Sequence, residues 1–74
     1  MVTVFTRSSC QPCRLTKATL DRNGIEYVER NVETDPEAYE AVKTLGYQSV
    51  PVVVAPDGTH WNGLRPDLLA SLAA

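Results

Sequence analysis

The only two cysteines of the chain, Cys10 and Cys13, stand three positions apart near its start. This spacing constrains the fold more than any other feature. A bridge between them closes almost no loop, so it removes little entropy from the unfolded chain and staples nothing. Secreted mini-proteins that depend on disulfides spread more cysteines along the chain. The 74 residues must therefore build their own core, and the pair must be kept for chemistry. Spacing of three on a helix puts both sulfurs on one face, within disulfide reach.

The flanking pattern places the pair between a strand and a helix. Thr3-Val4-Phe5-Thr6 alternates polar and apolar residues as a strand does, and Arg7-Ser8-Ser9 supplies a polar turn. A helix is expected to begin at Cys10, with Pro12 tolerated in its first turn, and to end before Gly24. Its apolar periodicity is weak, because Leu15, Ala18 and Leu20 form no clean stripe. Ile25 to Val32 reads as a second strand, parallel to the first because a helix-length crossover joins them. A second helix starts either with a Thr34–Glu37 capping box or with Asp35 as cap and Pro36 in the first turn. Ala38, Ala41, Val42 and Leu45 give it the clearest helical stripe of the chain, and Gly46 ends it. Val50 to Ala55 is a β-branched run, Pro56-Asp57-Gly58-Thr59 a hairpin turn, and His60-Trp61 a short return strand broken by Asn62-Gly63. Pro66 opens a last helix whose Leu68, Leu69 and Leu72 face inward. The order is β-α-β-α-β-β-α in one domain spanning residues 1–74, without repeats or linker.

At such a strand-to-helix junction the two sulfurs are not equivalent. Cys10 sits at the helix N-terminus, where unpaired N–H groups and the helix dipole favour a thiolate. Cys13 lies one turn in and is less exposed. Cys10 is thus the expected nucleophile toward a substrate disulfide, and Cys13 the thiol that resolves the mixed disulfide. Arg7, Arg14 and Lys17 lie close in sequence and favour the thiolate if within reach, though a solvated helix face explains Lys17 as well. Most acids fall between Glu26 and Glu40, which suggests an acidic side away from the cysteines, serving solubility. A zinc site wants four ligands, and His60 is the one histidine, placed on the hairpin where it reads as surface. No metal and no cofactor are expected. A net charge of −2 gives no general attraction to nucleic acid, and no apolar run approaches a membrane span. The start Met1-Val2-Thr3-Val4-Phe5 lacks the pattern of a secretory signal, which points to the cytoplasm.

The C-x-x-C after the first strand, with the apolar-Pro dipeptide Val50-Pro51 opening the third, resembles the thioredoxin/glutaredoxin superfamily. That resemblance implies a thioredoxin-like α/β fold with a four-stranded mixed sheet and three helices. It also implies a cis Val50-Pro51 bond beside the cysteines, with backbone that pairs with the substrate strand, so that Val50 and Pro51 floor the substrate site. Trp61-Asn62-Gly63-Leu64-Arg65-Pro66-Asp67 is similar to the Trp-Ser-Gly-Phe-Arg-Pro-Asp signature of the NrdH-redoxins, with Asn62 and Leu64 as conservative departures. These resemble glutaredoxins in size and thioredoxins in behaviour. The likeness implies a monomeric dithiol carrier, reduced by thioredoxin reductase and serving a class Ib ribonucleotide reductase. Trp61, Gly63 and Arg65 become expected partner-binding residues, with Arg65 bracing its loop through neighbouring backbone. Gln11 and Pro12 join them as the spacer between the cysteines. NrdH-redoxins commonly carry Gln before the second cysteine; Pro12 there is the thioredoxin pattern and implies a good reductant.

Two other readings compete. A glutathione-dependent glutaredoxin shares fold and cysteines, but typically carries Gly-Gly where this chain has Asn62-Gly63. A zinc or iron–sulfur binding module would use both thiolates as ligands.

Overall fold

A computed structural model describes residues 1–72. The elements are β1 (Val2–Thr6), α1 (Gln11–Arg22), β2 (Tyr27–Asn31), α2 (Pro36–Thr44), β3 (Val52–Val54), β4 (His60–Asn62) and α3 (Pro66–Ser71). The sheet runs β2-β1-β3-β4. β1 pairs parallel with β2 and antiparallel with β3, and β3 pairs antiparallel with β4. This is the expected thioredoxin-like order and mixed sheet.

Alternation along the central strand builds the core on both faces. Val2 and Val4 point to one side and pack with Leu20 of α1, Val53, Trp61 and Leu69 of α3. Phe5 points to the other and packs with Val52 and with Ala38 and Val42 of α2. One pleated strand thus holds the helices on either side of the sheet, because successive side chains leave it in opposite directions.

Local chemistry sets the ends. Asp35 caps α2, its carboxylate accepting the N–H groups of Glu37 and Ala38 at 3.1 and 3.2 Å, with Pro36 in the first turn. Of the two expected starts the Asp35 cap is the one formed; the Thr34 hydroxyl turns to the Asn31 carbonyl instead. The strands are shorter than the apolar runs. β2 covers Tyr27–Asn31 rather than residues 25–32, and β3 covers Val52–Val54 rather than residues 50–55. Pro51 has no N–H to give to the ladder, which delays β3. In the hairpin, Ala55 N–H donates to the Thr59 carbonyl at 2.8 Å and Asp57 accepts the Thr59 N–H at 3.0 Å.

The weak stripe of α1 has a specific cause. Its buried residues are Cys13, Thr16 and Leu20, a helical face interrupted by a polar residue. Thr16 is fully buried, and its hydroxyl donates to the Pro12 carbonyl at 2.8 Å. Leu15 and Ala18, the apolar residues that spoil the periodicity, face solvent.

Candidate active site

The β1–α1 turn is built to present Cys10. Ser9 takes a left-handed backbone with φ of 59°, a conformation that costs a non-glycine residue about 1 kcal/mol or more. Immediately after it the chain enters α1, and Cys10 is the N-cap rather than the first helical residue. Its sulfur takes the place of a capping oxygen, accepting the N–H of Cys13 at 3.2 Å. Pro12 falls in the first turn, where its missing N–H is no loss.

Cys10 and Cys13 are joined as a disulfide with a Cα–Cα separation of 5.2 Å. The expected asymmetry is present: Cys10 is 9% exposed and Cys13 1%. Of the two, Cys10 is the residue nearer to solvent. The spacer residues Gln11 and Pro12 are both exposed around it, and Arg14 donates to the Gln11 side-chain oxygen.

Val50 lies across from the disulfide. The Cys10 sulfur is 4.0 Å from the Val50 carbonyl oxygen, and the Val50–Pro51 peptide bond is cis. Pro51 is fully buried, while Val50 remains half exposed. Gly63 fixes this segment from the far side, its N–H donating to the Pro51 carbonyl at 2.8 Å. The φ of Gly63 is +85°, which explains why glycine stands there.

The charged residues are arranged differently from the sequence reading. Lys17 is held at 3.0 Å by Glu29, which also accepts the Thr6 hydroxyl at 2.8 Å. Hydrogen bonding from Lys17 is the main reason the Glu29 carboxyl sits below its ordinary value. Glu33 accepts the backbone N–H of Ser8 at 2.7 Å, and that bond lowers the Glu33 carboxyl. The acidic stretch is therefore not wholly away from the cysteines: Glu33 grips the turn that precedes Cys10. The parallel β1–β2 pairing causes this, because it sets the ends of both strands side by side, with Thr6 opposite Asn31.

The signature residues divide. Trp61 is buried in the core between the sheet and α1 and α3, and its Nε1 has no hydrogen-bond partner there. Arg65 does not brace backbone. Its guanidinium forks onto the Asp67 carboxylate at 3.3 and 3.1 Å, since a charge-assisted pair two residues away outcompetes neutral carbonyls. That hydrogen bonding lowers the Asp67 carboxyl. His60 is engaged by the Tyr47 hydroxyl at its Nδ1, 2.7 Å away. Among the described residues no helix is long and apolar enough to cross a membrane.

Known proteins share this sequence pattern and fold. The glutaredoxin family model matches residues 2–61. The glutaredoxin-like protein NrdH of Escherichia coli strain K12 is 38% identical over 71 residues, covering 96% of this chain and 86% of the relative. NrdH of Lactococcus lactis subsp. cremoris is 36% identical and covers 99% and 100% of the two chains. The solved NrdH-redoxin from Escherichia coli superposes with a TM-score of 0.90 at 38% identity, covering 96% of this chain and 92% of its own. The chain is an NrdH-type redoxin of the glutaredoxin family.

As an NrdH-type redoxin with a C-x-x-C disulfide, it is a thiol–disulfide oxidoreductase. The family match stops at Trp61, whereas the overlap with the NrdH relatives takes in the rest of the Trp61-to-Asp67 segment. Sequence reasoning missed three residues around the redoxin's site: Glu33, Tyr47 and Ser49. Each acts through a contact distant in sequence, and no local motif announces such a contact.

Proposed function

We propose that the redoxin is a cytoplasmic, monomeric dithiol carrier that thioredoxin reductase reduces and that a class Ib ribonucleotide reductase oxidises. The observation that carries the reading is the Cys10–Cys13 disulfide capping α1, with Cys10 the more exposed of the two cysteines. In the reduced protein the Cys10 thiolate attacks one sulfur of the substrate disulfide. The substrate S–S bond breaks, a mixed disulfide forms, and the leaving thiolate takes up a proton. Cys13 then gives up its proton and attacks the Cys10 sulfur. The second substrate thiol leaves, the Cys10–Cys13 bond re-forms, and two electrons have passed to the substrate. The Cys13 N–H aimed at the Cys10 sulfur stabilises negative charge there whenever the bond is open.

The remaining residues serve recognition. The Val50 backbone lies beside the Cys10 sulfur and is suited to pair with an extended substrate strand, with Pro51 as its floor. Gln11 and Pro12 are exposed on the same rim, and Gly63 holds Pro51 in place. Arg65 is exposed and available to a partner, whereas Trp61 acts by supporting the sheet from within.

The relatives named NrdH support this choice of partners, and the Escherichia coli NrdH-redoxin is described as having a thioredoxin-like activity profile. The glutaredoxin family match favours a second reading, in which glutathione is the donor. Against it stands Asn62, whose side chain occupies the place of the first glycine of a Gly-Gly platform and is already bonded to Ser49. The acceptor is tested by deoxyribonucleotide formation, with purified class Ib reductase and this redoxin as the sole dithiol. Turnover is expected. Its absence, with general disulfide reduction intact, would leave a carrier for other substrates.

A further inference from the structure

β4 carries two outward side chains whose purpose the fold alone does not require. His60 and Asn62 flank Trp61, and strand alternation turns them away from the core that Trp61 fills. Both reach back to the irregular segment between α2 and the cis proline. The Tyr47 hydroxyl meets His60 Nδ1 at 2.7 Å, with the rings edge to face at 5.5 Å. The Asn62 side-chain amide donates to the Ser49 hydroxyl oxygen at 2.7 Å.

That segment ends in the Val50 carbonyl, 4.0 Å from the Cys10 sulfur. Downstream, Pro51 is anchored by Gly63 and by the β3–β4 ladder. Upstream, residues 47–50 belong to no strand or helix, and the Tyr47 N–H to the Val42 carbonyl, at 3.1 Å, ties them to α2. A carbonyl that must meet a substrate strand needs both of its flanks fixed, since a shift of about 1 Å is enough to spoil an aligned contact.

We infer that Asn62 and His60 are positioning residues: through Ser49 and Tyr47 they clasp the segment that carries the Val50 carbonyl and so set the redoxin's affinity for extended protein disulfides. The clasp acts on recognition and leaves the sulfur chemistry alone. This rests on the proposed role of the Val50 backbone as the substrate platform.

The test uses the intact, pre-reduced protein in stopped flow with two oxidants. Insulin is the extended protein disulfide, and dithionitrobenzoate is a small disulfide with no backbone to pair. Asn62→Ala and Ser49→Ala should each raise the half-saturating insulin concentration about five-fold, the scale of one hydrogen bond, with the limiting rate unchanged. The double variant should do no more than either single one, because both remove the same bond. Tyr47→Phe should raise it similarly, and His60→Phe should match Tyr47→Phe. Rates with dithionitrobenzoate should be those of the parent in all of them. A purely structural role would lower thermal stability while leaving insulin saturation where it was, and that result would overturn the inference, as would additive effects of Asn62→Ala and Ser49→Ala. Pro51→Ala separates the two levels of argument. If it weakens insulin binding while the clasp variants do not, the clasp is wrong and the platform stands. If it too leaves insulin saturation unchanged, the platform reading has failed and the clasp falls with it.

Discussion

The carboxylate of Glu33 accepts the backbone N–H of Ser8 at 2.7 Å, so a residue just past β2 holds the turn that delivers Cys10. Ser9, between them, has a left-handed backbone that the turn must maintain. The bond links the end of one parallel strand to the active-site turn of its neighbour.

This bond predicts an acid limb in stability. The Glu33 carboxyl lies below its ordinary value of 4.5, chiefly through the Ser8 hydrogen bond. A depressed carboxyl contributes stability that is whole above the unfolded value, shrinks as pH falls through the folded one, and is absent below it. The difference between parent and Glu33→Gln in urea unfolding should therefore be constant at pH well above 4.5 and narrow as pH falls below it. A difference that stays level over that range would show that the bond contributes nothing to the turn.

Trp61 separates packing from hydrogen bonding. The indole is 6% exposed and its Nε1 is unpartnered. Trp61→Ala should cost about 3–5 kcal/mol in denaturant unfolding, as expected for a large core aromatic. Trp61→Phe loses no hydrogen bond and should cost clearly less. Equal losses in the two variants would point to an Nε1 contact that matters.

Cys10 should be the reactive thiol. In the reduced protein, iodoacetamide at neutral pH should alkylate Cys10 first, because Cys13 is closed to solvent and Cys10 receives its N–H. Cys10→Ser should abolish turnover, while Cys13→Ser should accumulate mixed disulfides with substrate. Faster alkylation of Cys13 would reverse the two roles.

Much of this was legible from local signals. The Asp35-Pro36 start, the Ala38–Leu45 stripe, the Pro56–Thr59 turn and the C-x-x-C junction each carry their physics within a few residues. The cis Val50–Pro51 bond was not, since the dipeptide alone favours trans, and only the family likeness pointed to it. Thr16 disguised the buried face of α1, because a threonine that bonds the carbonyl four residues back satisfies its own hydroxyl and packs as an apolar residue. Glu33 on Ser8 and Asn62 on Ser49 depend on strand register, which a linear reading of charges does not contain. Arg65 was hidden for a different reason: its partner Asp67 is only two residues on, but sequence spacing does not say whether the guanidinium turns to that carboxylate or to backbone.

In the proposed function, electrons reach the Cys10–Cys13 disulfide from a dithiol flavoprotein and not from glutathione. NADPH oxidation measures this directly, with insulin as acceptor and either thioredoxin reductase, or glutathione with its own reductase, as the donor system. Sustained NADPH consumption is expected with thioredoxin reductase, with its loss in Cys13→Ser and none above background with glutathione. Efficient turnover by glutathione, with none from a cognate thioredoxin reductase, would contradict it.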